Sequence, residues 1–181
     1  MSLDTVAHVN DRLAADLDGA FVELMREMER AVYSGVRRMV PTGADAEDIT
    51  QEVFIRAYRA LREYSPERIR QLNMRGWVWT IAINLCRNAS RTRSRRPRTV
   101  ELDRDAFASG PGPENQALVA DENDRWSQLL GRLPAAQRNA VILRHVVGLP
   151  YAEIATATGR MEGTVKADVH RGIAALKEAL A

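Results

Sequence analysis

The chain has 181 residues, of which 45% are hydrophobic and 28% are charged, with a net charge of +2. That length allows one ordinary domain or two small ones, and the single cysteine, Cys86, excludes an intrachain disulfide framework. No apolar run approaches the roughly 20 residues that span a bilayer, and the N-terminus lacks an apolar signal core. We therefore expect a protein of the reducing cytoplasm that does not insert into membranes.

The small net charge conceals a segregation of charge along the chain. Residues 75–100 contain arginines and no carboxylate. One earlier segment crowds four acids, namely Asp45, Glu47, Asp48 and Glu52. Opposite charges on separate segments indicate separate faces for separate partners, and a basic face favours nucleic acid.

Helical periodicity predicts three helices in the first 97 residues. The first runs from Phe21 to the breaker Pro41, and the second begins at Asp45, which we expect to be its N-cap. A loop from Ser65 to about Met74 precedes the third helix. The apolar stripe of this third helix is Trp77, Val78, Ile81, Ala82 and Leu85. The outer face of the second helix carries Asp48, Gln51 and Glu52. The outer face of the third helix carries Asn84, Arg87, Asn88 and Arg91.

The pattern dissolves between Pro97 and about Asp124, and the glycine–proline run at its centre predicts a linker. Helical spacing resumes at Trp126, and Pro134 is expected to open a new helix that Gly148 can cap. Two shorter patterns follow, at 151–158 and from about residue 162. The last helix is expected to bury Val165, Val169, Ile173, Leu176 and Leu180.

The predicted fold class is all-α, with two small helical domains joined by a flexible linker, the C-terminal one a helix-turn-helix. We divide the chain into a variable N-terminal segment, 1–20, a first domain, 21–97, a linker, 98–125, and a second domain, 126–181. No strand pattern or internal repeat is present in the sequence.

The outward face of the last helix suits the major groove of DNA. At about 100° per residue, it presents small residues, which permit close approach, and side chains that reach phosphates or base edges. These side chains are Thr164, Lys166, His170 and Arg171. The alternative is a solvated helix face, but the short helix and the glycine turn before it favour helix-turn-helix geometry and DNA binding.

The third helix opens a basic run from Arg87 to Arg98 that would attract any nucleic acid by counterion release. A solvated basic tail explains the charge alone equally well, but amides beside arginines also suit base edges. Three aromatic side chains near the preceding loop, Tyr64, Trp77 and Trp79, are candidates for stacking on an unpaired base. For Trp77 a place in the core is the stronger interpretation.

The sequence gives little support to an enzymatic function. Clustered carboxylates can hold magnesium, but Glu47 and Asp48 point to different helix faces and Asp45 is explained as a cap. The sequence has no phosphate-binding glycine loop, no nucleophile motif and no metal-spaced Cys/His set. We expect no catalytic residue, no metal and no cofactor, and we interpret Cys86 as a packing residue, with a redox sensor as the alternative.

Three motifs, in this order, resemble those of the group 4 sigma factors, the extracytoplasmic-function (ECF) class of the bacterial primary sigma superfamily. AEDITQEVFIRAYRAL resembles that family's helix for the polymerase clamp, and RGWVWTIAINLCRNASRTRSRR resembles its promoter-melting and −10 recognition helix. LPAAQRNAVILRHVVGLPYAEIATATGRMEGTVK resembles its −35 reader. The resemblance covers nearly everything from Phe21 to Leu180.

The resemblance implies roles for individual residues. By position, core polymerase would be contacted by Asp48, Gln51 and Glu52, and the −10 element by Tyr64, Asn84, Arg87, Asn88 and Arg91. The −35 element would be contacted by Thr164, Lys166, His170 and Arg171. The implied partners are core RNA polymerase, through its largest-subunit clamp helices and its second-subunit flap, promoter DNA, and an anti-sigma factor as a further candidate.

Two departures from the family pattern carry their own hypotheses. Where the family reads basic, serine, basic, this chain has Lys166, Ala167 and Asp168. We expect the Asp168 carboxylate either to repel phosphate or to hold Arg171; the alternative is that it pairs within its own lobe, away from DNA. The loop from Ser65 to Met74 is longer than in some relatives, so the resemblance does not indicate which base is captured.

The sequence therefore predicts a dissociable, non-catalytic initiation factor that recruits core polymerase to a restricted promoter set and helps to open the −10 region. The rival is a stand-alone helix-turn-helix regulator that binds operators without polymerase. A regulator of that kind usually carries a ligand or dimerisation domain, in place of the acidic and arginine helices found here.

Overall fold

The computed structural model describes residues 3–95, 126 and 128–180, and the predicted linker, 98–125, lies outside them. The described residues are helical and contain no strand, which confirms the all-α fold class. The N-terminal helices are α1 (Leu3–Ala15), α2 (Leu17–Arg37), α3 (Gly43–Arg62), α4 (Pro66–Arg70) and α5 (Met74–Arg95). A helical stretch at 128–131 then precedes α6 (Ala135–Val141), a π-helical turn (Ile142–Val146), α7 (Tyr151–Thr158) and α8 (Glu162–Leu180).

In the N-terminal lobe, α3 packs between α2 and α5, and α1 lies against both α2 and α4. Two helix starts differ from the sequence prediction. The α2 helix begins at Leu17, behind an Asp16 cap, four residues before Phe21. The expectation that Asp45 caps α3 is wrong: Thr42 Oγ1 accepts from the Asp45 backbone N–H at 3.0 Å and donates to the Asp45 carboxylate at 2.7 Å. Asp45 is thus the third residue of the helix, and the Thr42 side chain is its cap.

The C-terminal lobe packs α8 against α6 and α7. A Cβ added to Gly172 of α8 would lie 2.6 Å from Val141 Cγ2, so only glycine permits this close approach to α6. Gly159 ends α7 with φ of 67°, the left-handed conformation that favours glycine and makes the turn of the helix-turn-helix. The expected burial of Leu180 is wrong, because this last residue of α8 is 51% exposed.

The two lobes also pack against each other, chiefly through α5 and α7. At this junction, Gly35 of α2 lets the indole of Trp79 approach closely, and a Cβ there would also lie 3.2 Å from Val147 Cγ2 of the C-terminal lobe. Trp79 is fully buried, so its proposed stacking on a base is wrong. The same side of α5 buries Ile83 and Cys86 in a second apolar stripe, at helical spacing from Trp79.

Two arginines of α5 hydrogen-bond to carbonyls of the other lobe. Arg75 donates to Val147 O, and Arg87 Nη2 donates to Thr158 O at 3.1 Å. Charge-assisted bonds of this kind are stronger than neutral ones. The junction therefore combines a buried apolar stripe with hydrogen bonds to the ends of two C-terminal elements.

Candidate protein and nucleic-acid interfaces

The predicted polymerase-binding residues share one face of α3. Asp48 and Gln51 are exposed, and Glu52 is half-exposed. Glu52 Oε1 lies 2.6 Å from Arg56 Nε, one turn further along the helix. The positions 48, 51 and 52 are separated by three and four residues, so their side chains form a continuous acidic and amide surface.

An apolar groove that sequence reasoning missed adjoins this acidic face. It has a volume of about 410 Å³ between α2 and α3. Its walls include Phe21, Met25, Phe54, Ile55 and Tyr58, with Gln51 at its edge. The available signal was Ile55, an isoleucine one turn past Gln51 on a polar face, which is 43% exposed in the structure. Apolar surface bordered by polar groups is typical of protein interfaces.

Tyr64 lies at the end of α3, half-buried, where two side chains cover its ring. The guanidinium of Arg68 lies 3.6 Å from the ring centroid, and the Trp77 ring is 5.9 Å away at a tilted angle. Trp77 is half-buried against the core, as the sequence favoured. A nucleic-acid base could reach Tyr64 by displacing Arg68 or by stacking on its planar guanidinium.

The outer face of α5 carries the predicted −10 residues, Asn84, Arg87, Asn88 and Arg91, all of which are exposed. Their spacing of three and four residues aligns them along one side of the helix. Trp77 stands seven residues before Asn84, about 10 Å along the helix at 1.5 Å per residue. Because the Tyr64 ring packs against the Trp77 ring, Tyr64 lies at one end of this polar face. The part of the basic run beyond residue 95 is outside the described residues.

The predicted −35 residues also share a surface. Lys166, His170 and Arg171 are exposed on α8, and Thr164 is half-buried. The Lys166 ammonium lies 2.8 Å from the Glu162 carboxylate and 5.5 Å from the centroid of the Tyr151 ring. Glu162 and Tyr151 lie at the starts of α8 and α7, so they orient this lysine at the N-terminal end of α8.

Asp168 is buried, with 3% of its surface exposed, between two arginines of its own lobe. Its carboxylate forms an ion pair with Arg160 in the turn, and its Oδ1 accepts a hydrogen bond from Arg171 Nη2 at 2.7 Å. The expected pairing with Arg171 is confirmed. The burial of the carboxylate between two arginines favours the alternative that Asp168 pairs within its own lobe, and its effect on −35 binding stays a prediction. The departure from the family pattern thus orders a cation of the recognition helix.

Burial shifts the pKa of two ionisable groups that lie near each other at the lobe junction. Burial raises the pKa of the Cys86 thiol to about 12, so it stays protonated at neutral pH, as expected of a packing residue. Burial lowers the pKa of Arg138, across the lobe junction from Cys86. Among the described residues, no group of three or more His, Cys, Asp or Glu side chains could hold a metal, and no helix is long and apolar enough to cross a membrane.

Comparison with known proteins matches both lobes to named families. Residues 24–96 match Sigma-70 region 2, and residues 123–176 match Sigma-70 region 4. Two solved structures have a similar fold over most of the chain. One is CnrH in complex with the cytosolic domain of CnrY, with a TM-score of 0.73 and 22% identity over 97% of this chain and 96% of that one. The other is the sigma factor RpoE in complex with the anti-sigma factor NepR from Bartonella quintana, with a TM-score of 0.66 and 23% identity over 88% of this chain and 96% of that one.

Curated relatives are more similar in sequence. The chain is 36% identical over 165 residues to the ECF RNA polymerase sigma factor SigE of Mycolicibacterium smegmatis, covering 88% of this chain and 61% of that one. It is 34% identical over 181 residues to SigD of Mycobacterium tuberculosis (97% and 82%), and 33% identical over 161 residues to the sigma-E factor of Escherichia coli (84% and 82%). With two lobes matching these regions in order, the chain belongs to the ECF RNA polymerase sigma factors.

Proposed function

We propose that this chain is a dissociable initiation factor that directs core RNA polymerase to a restricted set of promoters and helps to open the −10 region, without catalysing a reaction itself. The observation that carries the proposal is the presence of three exposed polar faces on one chain: acidic on α3, amide and arginine on α5, and basic on α8. A protein-binding face beside one DNA-binding face, with a second DNA-binding face on the other lobe, suits promoter recognition. Because this function brings the protein to RNA polymerase and DNA, we propose that it is cytoplasmic.

For the polymerase, we propose that the acidic face and the apolar groove bind the clamp helices of the largest subunit. A helix with basic and apolar side chains fits this surface, because its apolar residues can fill the groove while its cations approach Asp48 and Glu52. The C-terminal lobe is proposed to contact the flap of the second subunit. An anti-sigma factor is a further proposed partner, since the RpoE structure of similar fold holds one.

For promoter DNA, we propose that the two lobes separate when polymerase binds. The −10 and −35 elements are about 25 base pairs apart, or about 85 Å at 3.4 Å per step. The 19-residue helix α8 is only about 28 Å long, and α5 touches α7 directly. Lobes in contact cannot reach both elements together, and separation also frees the Arg87 guanidinium from Thr158 for DNA.

The first test is the affinity of the free chain for promoter duplex. We expect it to be weak and poorly sequence-specific, because each lobe offers a small surface and the linker does not fix their spacing. Addition of core polymerase should raise affinity and specificity together at a stated salt concentration. A promoter for the assay is obtained by run-off transcription with core polymerase over a genomic library. Equally tight, sequence-specific binding by the free chain would instead support the stand-alone regulator.

The second test concerns the −10 element. The Asn84→Ala and Tyr64→Ala variants should bind core and the −35 element normally but form open complexes about tenfold less well, because a stacked base contributes about 1–3 kcal/mol. Permanganate reactivity of −10 thymines measures opening. Tyr64→Phe keeps the aromatic ring and should open normally, so it is the matched control for Tyr64→Ala. Unchanged opening in both alanine variants would place the base pocket elsewhere.

A further inference from the structure

Asn10 of α1 is a buried polar residue that reaches across about sixty residues of sequence. It is 4% exposed, and its Nδ2 donates to Leu72 O at 2.7 Å and to Arg70 O at 3.3 Å. Both acceptors belong to residues 70–72, which lead from the last residue of α4 towards α5 and are called the connector below. An asparagine is rarely buried without specific partners, and here the partners are main-chain atoms of one segment.

The connector depends on such outside support. The α4 helix has only five residues, and carbonyls at a helix end have no intrahelical partner. Local contacts hold it in part: Ser65 Oγ accepts from the Arg68 N–H at 3.3 Å, and Ile69 is buried. The Arg70 and Leu72 carbonyls receive their side-chain hydrogen bonds from Asn10, which ties them to α1.

The connector stands between the two groups that the proposed function assigns to the −10 element. On its N-terminal side are Tyr64 and the Arg68 guanidinium that covers it. On its C-terminal side, Asn73 Oδ1 accepts from the Gly76 N–H at 3.1 Å at the start of α5, the helix that carries Asn84. A shift of the connector would therefore change the placement of Tyr64 relative to the polar face of α5.

We propose that Asn10 is a positioning residue for −10 base recognition: by fixing the α4–α5 connector, it sets the geometry between Tyr64 and Asn84. The inference rests on the proposed function. It means that α1, which lies in the segment expected to be variable, contributes to promoter recognition. Asn10 touches no DNA in this scheme. Its effect appears as a change in base discrimination rather than in polymerase binding.

The test uses the Asn10→Leu variant, because leucine keeps the volume of the side chain and removes both donors. Holoenzyme is assembled from core polymerase and either chain, and binding is measured to single-stranded −10 oligonucleotides that carry each of the four bases at the captured position. We expect wild type to prefer one base and Asn10→Leu to lose about tenfold of that preference, the scale of one mismatched base. Core binding and −35 binding should be unchanged.

Amide hydrogen exchange distinguishes positioning from general stability. In Asn10→Leu, exchange should rise in residues 71–76 and stay unchanged in α2 and α3; a rise throughout the N-terminal lobe, or loss of core binding, would overturn the positioning role.

The control Asp11→Asn removes only an exposed ion pair with Arg70 at 3.6 Å and should keep full base preference. Undiminished preference in Asn10→Leu would overturn the inference alone. Absence of any preference in wild type would overturn the −10 part of the proposed function and this inference with it.

Discussion

The Asp168→Arg variant should lose the fold of its C-terminal lobe while the N-terminal lobe stays folded. The change places a third cation in a buried site beside Arg160 and Arg171, where the carboxylate now neutralises both. Breaking a buried ion pair commonly costs about 3–5 kcal/mol because a buried charge is left without its partner. That is a large fraction of the stability of a small domain. If the lobe unfolds, −35 binding is lost, the opposite of what phosphate repulsion would give.

Urea denaturation followed by circular dichroism measures the loss in free energy of unfolding, and amide NMR signals show which lobe unfolds. Asp168→Asn keeps the shape of the side chain and should be milder, at about 1–3 kcal/mol. Glu178→Arg puts the same charge on an exposed position of the same helix and should change stability by less than about 0.5 kcal/mol. A fully folded Asp168→Arg chain with stronger −35 binding would show that this carboxylate opens towards DNA in solution.

The double variant Asp48→Lys with Glu52→Lys should weaken core polymerase binding at least about 100-fold. Under the proposed function, both acids meet cations of the clamp, and reversing them puts like charges together at a protein interface, which costs several kcal/mol. The fold should survive, since Asp48 is exposed and Glu52 gives up only a surface pair with Arg56. A pull-down with core polymerase measures binding, and circular dichroism checks the helix content.

Glu47→Lys is the matched control for this charge reversal. Glu47 is exposed on the same helix but is turned about 100° from Asp48, at the border of the acidic face, so its reversal should weaken core binding by less than about tenfold, far less than the double variant. Retained binding in the double variant would remove the acidic face from the interface. Equal loss in Glu47→Lys would mean that the total charge of α3 matters rather than the specific face.

Helical periodicity predicted the long helices and their outer faces well, because an apolar residue every three or four positions is a local signal. The exposed positions of Asp48, Asn84 and His170 all follow from it. The helix α4 was missed because its five residues contain too few turns to show a period. The α1 helix was also missed. It contributes Leu13 to the core, but its register becomes clear only once its packing partners are known.

Long-range contacts account for the other differences. The flank position of Asp168 follows from the sequence, but its burial depends on Arg160, eight residues earlier in the turn. A second apolar stripe on α5 was visible as Trp79, Ile83 and Cys86, yet nothing local indicates that another lobe covers it. The apolar groove beside Gln51 likewise arises from two helices together. Patterns along one helix give its faces, and only the tertiary structure shows what each face meets.

Under the proposed function, the packing of α5 against α7 would also make polymerase binding a competition between closed and open conformations. If polymerase holds the lobes apart, only open molecules bind, and the apparent dissociation constant equals the intrinsic one divided by the open fraction. Each 1.4 kcal/mol by which the junction favours the closed form would then require about tenfold more of the chain to occupy the same amount of polymerase. Residues such as Arg75 and Gly35, remote from the acidic face, would in this way help to set the cellular concentration at which the factor begins to act.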